Sequence, residues 1–131
     1  MLDEAVKKIL HFTSRGWRIV FTDGSSVLED DLGWVGGFGV FFGDQDDLSA
    51  PLPLADPQTN NRAELRALAS ALQIISKRPT STRWAIAMDS SYVVKGVNGG
   101  ADSWRDKDWI GVAGSLVAHV DLWMLVLDLV A

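Results

Sequence analysis

The chain has 131 residues, 47% of them apolar, enough for one domain around one core and too few for two ordinary domains. Cysteine is absent, which excludes a disulfide framework, a thiolate metal site and a cysteine nucleophile, and leaves oxygen or His ligands for any bound metal. A formal net charge of −5 counts against general electrostatic attraction to polyanions, so a nucleic-acid ligand would need local chemistry to hold it.

Leu2, Ala5, Val6, Ile9 and Leu10 recur at helical spacing with charges between them, and Ser14, Arg15 and Gly16 end the pattern. Residues 1–15 are therefore expected to form an amphipathic helix and linker ahead of a domain over residues 16–131. Asp3, Glu4, Lys7 and Lys8 interrupt the opening apolar positions, unlike the basic-then-apolar order of a secretory signal, so a cytoplasmic or nuclear location is expected. Trp17, Ile19 and Phe21 alternate with Arg18, Val20 and Thr22 as in a strand, predicted to stop at Asp23-Gly24. Glu29 to Asp31 and the glycine-rich stretch from Gly33 are predicted as a loop, followed by a strand over Gly37 to Phe42 and a turn at Gly43 to Asp47.

A weaker strand is predicted from Leu48 to Leu54, confined to a sheet edge by Pro51 and Pro53, which completes an antiparallel meander. From Asn60, Leu65, Leu68, Ala69, Leu72 and Ile75 share one helical face up to Pro79. Trp84 to Met88 reads as a buried strand and Asp89-Ser90 as the start of a helix reaching Val97. This alternation predicts that the fourth strand runs parallel to the first. Gly96, Gly99 and Gly100 then break the chain, with Trp104 and Trp109 anchoring an irregular segment before a last helix from about Asp121. Leu122 to Ala131 is too short for a bilayer span and carries Asp128, so it reads as a buried helix rather than a membrane segment.

Three carboxylates fall at element ends: Asp23 after the first strand, Glu64 in the first turn of the long helix and Asp89 after the fourth strand. Each has a structural alternative, as a turn residue, part of a capping-box-like helix start, or an N-cap. If the first and fourth strands are parallel neighbours, however, Asp23 and Asp89 share the carboxyl-end edge of the sheet, where α/β folds place ligands. Glu64 could then be aimed between them. Converging carboxylates repel one another and are tolerated chiefly around a hard cation such as Mg²⁺ or Mn²⁺. Such a site suits phosphodiester hydrolysis.

With these residues in place the sequence resembles the type 1 ribonucleases H. The resemblance rests on Phe21-Thr22-Asp23-Gly24-Ser25, Thr59-Asn60-Asn61-Arg62-Ala63-Glu64-Leu65 and Asp89-Ser90-Ser91-Tyr92-Val93-Val94 in order, with Trp104, Trp109 and Val120-Asp121-Leu122-Trp123. It implies a ribonuclease H-like α/β fold: an antiparallel three-strand meander plus a parallel fourth strand, flanked by helices and truncated at its C-terminal end. It also implies metal-dependent endonucleolytic cleavage of the RNA strand of an RNA–DNA hybrid by two ions, Mg²⁺ or alternatively Mn²⁺. Asp23 would bridge both ions, while Glu64 and Asp89 would hold the one nearer the leaving group. Asn60 and Asn61 match the family's minor-groove contacts, and Thr59, Arg62 and Ser90 are further candidate substrate contacts; Thr59 and Arg62 have an equal claim as helix-start and surface residues.

The resemblance further implies a strand, a His-Gly loop and a helix after the Asp-Leu-Trp helix, supplying a fourth carboxylate. The sequence as it stands carries none of these, and Asp121, Asp128 and His119 are poor replacements. Ile110 to Ala118 holds no Lys or Arg where many relatives carry a basic protrusion, and Gly100 stands where relatives often place a groove-lining Trp. Both departures are expected to weaken hybrid affinity. Two alternatives accompany the hydrolase reading: a relative that binds nucleic acid or metal without efficient cleavage, and a structural or interaction module. The fourth strand is expected to keep an open edge and the sheet an open apolar face, with either the N-terminal helix folding back onto that face or two chains pairing edge to edge in a homodimer.

Overall fold

The computed structural model describes Lys7 and residues 11–131. Four strands, β1 (Trp17–Glu29), β2 (Gly33–Phe41), β3 (Leu48–Pro51) and β4 (Arg83–Ala87), form one sheet in the order β3-β2-β1-β4. β1 pairs antiparallel with β2, β2 antiparallel with β3, and β1 parallel with β4. This is the mixed sheet expected from the sequence.

The first two strands are longer than expected. β1 does not stop at Asp23-Gly24 but runs on to Glu29, and the glycine-rich stretch from Gly33 is strand rather than loop, pairing from Glu29↔Gly33 to Phe21↔Phe41. The reversal is made by residues 30–32, with Gly33 taking a positive φ of 75° immediately after, the left-handed step that short hairpin loops use. Gly24 serves another purpose: a Cβ there would overlap the backbone of Ala63 and Glu64. Its bare backbone lets a helix pass directly over the strand.

That helix is α1 (Asn60–Ile75), and its buried residues include Ala63, Ala67, Ala69 and Ala71, small side chains that permit close approach. Ala71, with Ile74 and Ile75, packs on Val20 and Val40 of the sheet. Leu65, Leu68 and Ala69 pack instead with Val93, Ala101, Leu122, Trp123, Val126 and Leu127. α1 therefore lies between the sheet and the outer helices α2 (Ser91–Lys95), α3 (Ala101–Asp106) and α4 (Val120–Val130).

Between α2 and α3 the backbone widens through Gly96–Gly100, where Asn98 and Gly99 leave helical geometry. Trp104 was expected in an irregular segment; it lies on α3, its ring edge-on to Trp123 at 5.7 Å. The indole N–H of Trp123 donates to the Tyr92 hydroxyl at 2.9 Å. The N-terminal helix expected over Leu2 to Leu10 lies outside the described residues except for Lys7, which is helical, as are residues 11–13. No helix among the described residues is long and apolar enough to cross a membrane.

Candidate active site

Register brings the first two carboxylates together. Phe21 pairs with Ala87 across the parallel β1–β4 ladder, and Asp23 and Asp89 each follow two residues later. The third comes from α1, which passes directly over β1 at Gly24 and there delivers Glu64, placed just past the helix's first turn rather than within it as expected from the sequence. One carboxylate oxygen from each of Asp23, Glu64 and Asp89 lies within 4.8 Å of the others. Asp23 and Asp89 are exposed and Glu64 is partly buried. Among the described residues no ion pair engages any of the three; Asp23 Oδ1 accepts only a local bond from the Gly24 N–H, 2.9 Å. An all-oxygen, uncompensated donor set of this kind fits a hard divalent cation. No fourth acidic or His side chain joins it among the described residues.

A cavity of about 440 Å³ opens over the cluster, and Asn60, Asn61, Ser90, Ser91 and Tyr92 share its walls with the three acids. Asn60 ties the start of α1 to β1, its Oδ1 accepting from the Ser26 N–H at 2.6 Å and the Ser26 hydroxyl at 3.2 Å. Asn61 is exposed at the rim. Ser90 is nearly buried, and its hydroxyl oxygen caps α2 by accepting from the Val93 N–H at 3.2 Å.

Thr59 and Arg62 are not brought to this wall. Thr59 is the N-cap of α1, accepting from the Arg62 N–H at 3.2 Å. The Arg62 side chain is 6% exposed and lies between two acids. It donates to Asp56 at 3.0 and 3.1 Å and to Asp121 at 2.8 and 2.9 Å. Its helix-start role accounts for its position. The Arg62 hydrogen bonds hold the Asp121 carboxyl down at about 2, and Arg62 with Arg66 also lowers Asp56.

His119 precedes α4 in the left-handed conformation, edge-on to Tyr92 at 6.4 Å, outside the acidic cluster. Burial, then the Arg62 charge, lowers its pKa. Two supports of the site went unseen in the sequence. Asp56 anchors Arg62 and Arg66 together. Gln58 joins the loop before α1 to the sheet, accepting from the Gly36 N–H at 2.8 Å and donating to the Pro53 carbonyl at 2.9 Å. Neither shows a periodicity or motif that would have marked it.

A mixed sheet whose neighbouring parallel strands end in converging carboxylates defines an α/β protein with a candidate ligand site at the strand ends. The chain belongs to the RNase H family, whose model matches residues 16–131. It is 38% identical over 106 residues to a ribonuclease H of Schizosaccharomyces pombe (strain 972 / ATCC 24843), covering 80% of this chain and 38% of that protein. A ribonuclease H of Granulibacter bethesdensis (strain ATCC BAA-1260 / CGDNIH1) is 34% identical over 113 residues, 86% of this chain and 71% of that protein. Among solved structures, a type 1 RNase H with the type 2 active-site motif superposes with a TM-score of 0.66 at 26% identity, over 86% of this chain and 56% of that one. A foamy viral protease-reverse transcriptase in complex with RNA/DNA hybrid gives 0.72 at 20% identity, over 88% of this chain and 16% of that one, a likeness of fold.

Proposed function

We propose that this chain is a metal-dependent endonuclease that hydrolyses the RNA strand of RNA–DNA hybrids, with Mg²⁺ as its ion and Mn²⁺ as an alternative. The observation that carries this reading is the convergence of Asp23, Glu64 and Asp89 oxygens within 4.8 Å of one another, in a chain of the RNase H family. These three residues would hold the metal. Bound divalent ions supply Lewis acidity for activating water and for taking up charge on the leaving oxygen. The protein's own part is positional: Asp23 and Asp89 are set by strand register, Glu64 by the passage of α1 over Gly24, and Asn60 by its bonds to Ser26. Asn60 and Asn61 stand on the cavity wall where a minor groove presenting 2′-hydroxyls would lie, and such contacts distinguish RNA from DNA. Ser90 acts from behind, fixing the turn that carries Asp89.

The test is cleavage of a hybrid labelled on its RNA strand, with Mg²⁺, Mn²⁺ or chelator, beside all-RNA and all-DNA duplexes. Ion-dependent internal cleavage confined to the hybrid is expected; an inert hybrid with either ion would refute hydrolysis. The cluster of three acids, with no fourth among the described residues, favours one second reading: hybrid binding with inefficient turnover. Saturable hybrid binding without cleavage in the same samples would select it.

A further inference from the structure

The β1–β2 hairpin outruns the helix laid across it. Gly24, Ser26 and Leu28 of β1 share one face of the sheet, opposite Phe38, Gly36 and Trp34 of β2. α1 passes over Gly24. One step along, Asn60 bonds to Ser26, Gln58 bonds to Gly36, and the Leu52 side chain lies against Gly36. The next step, Leu28 with Trp34, lies beyond the start of α1 and stays open, the two residues 64% and 58% exposed. Trp is well buried on average and is enriched where a surface meets a ligand, so an open indole next to the site wall calls for a partner.

We propose that Trp34, backed by Leu28, contacts the minor groove of the RNA–DNA hybrid and extends the substrate wall of Asn60 and Asn61 by one step along the strands, a role that rests on the nuclease reading. Asn60 lines the cavity over the three acids and is bonded directly to Ser26. Leu28 follows two residues on, about 7 Å along the strand, a small part of the helical turn of a duplex, about 34 Å. A hybrid lying over Asn60 and Asn61 therefore passes the pair within the same turn. The tip of the hairpin narrows the kind of contact. Glu29, Asp30 and Asp31 are exposed and enter no ion pair among the described residues. These carboxylates repel phosphates, so the hairpin is unsuited to following a nucleic-acid backbone. The uncharged indole and leucine suit the sugars and base edges between the phosphate rows, where minor-groove proteins place apolar side chains. Continuity with the cavity wall, rather than exposure alone, selects nucleic acid over a protein partner.

The test compares hybrid cleavage with Mg²⁺ by Trp34→Ala, Trp34→Phe and Val130→Ala, the last an exposed apolar position on α4. Trp34→Ala is expected to raise KM about tenfold, with kcat, Mg²⁺ dependence and melting temperature unchanged. In a chain that binds hybrid without turnover, the dissociation constant is read in place of KM. Trp34→Phe should recover most of the loss, and Val130→Ala should match the native chain. Because the contact is uncharged, the ratio of native to variant affinity should hold from low to high salt, whereas that of a phosphate contact would shrink. An unchanged KM in Trp34→Ala, or an equal rise in Val130→Ala, overturns the proposal and leaves the indole to a protein partner. So does a loss confined to kcat or matched by a lower melting temperature, which would make Trp34 a support of the acid cluster. A native chain that neither binds nor cleaves hybrid sinks the nuclease reading itself; a native chain that cleaves beside an unaffected Trp34→Ala sinks the groove contact alone.

Discussion

Arg62 and Asp121 join the start of α1 to the start of α4 through two side-by-side hydrogen bonds of 2.8 and 2.9 Å. Because the same guanidinium also holds Asp56, whose side chain is only 9% exposed, its removal leaves a buried carboxylate dependent on Arg66. Arg62→Ala is expected to lower unfolding free energy by about 3 kcal/mol, measured by urea denaturation. Lost hybrid affinity at undiminished stability would instead make Arg62 a groove contact.

The same pair sets an acid limit. Asp121 is lowered from 3.8 to about 2 when folded, so its contribution is fully present above the ordinary carboxylate value and is lost as pH falls from there through 2. The melting temperature is therefore expected to drop across that window in the native chain. Asp121→Asn should flatten the drop, since a neutral amide neither gains nor loses charge there; an identical slope would assign the acid limit elsewhere.

Relieving the repulsion among Asp23, Glu64 and Asp89 should separate function from folding. Asp23→Asn is expected to cut hybrid cleavage by roughly a hundredfold or more, while the melting temperature in chelator holds or rises. Mg²⁺ should then stabilise the native chain more than the variant. A clear loss of metal-free stability would favour a structural role for the carboxylate.

Gly24→Ala tests whether strand and helix meet there as closely as the backbone implies. The new methyl group meets main chain at Ala63 and Glu64, so α1 must shift and take Glu64 with it. A loss of about 2 kcal/mol is expected, with metal affinity falling in parallel. Retention of both in the variant would show that the contact yields easily.

Asn60→Ala and Asn61→Ala should diverge. Both are expected to reduce discrimination of hybrid over DNA duplex more than total binding, but only Asn60→Ala should also cost about 1 kcal/mol of stability, through its bonds to Ser26. Equal losses on both ligands would point to phosphate contact instead.

The sheet order and the three-acid cluster were legible in the sequence because the relevant signals are periodic or punctual: alternation through Thr22, the stripe from Leu65 to Ile75, and acids at strand ends. What escaped was governed by contacts distant along the chain. Asp23-Gly24 has the composition of a turn, yet it stays extended because α1 requires a side-chain-free crossing point. Arg62 and Thr59 sit inside a recognisable motif, but their side chains answer to Asp56, Asp121 and a helix terminus. Gln58 bridges loop and sheet with no local pattern to announce it.

The parallel ladder between β1 and β4 has a consequence for how the protein acquires its chemistry. The β1–β2 hairpin closes over three residues, whereas β4 reaches the other side of β1 only after β2, β3 and α1 have intervened along the chain. Closing that large loop is the entropically demanding part of folding. Asp23 and Asp89 therefore stay apart in a nascent or partly folded chain and come together only with the long-range topology. Affinity for a cation at the cluster should appear abruptly during refolding, in step with that final closure, so a half-made molecule carries no half-made acidic cluster.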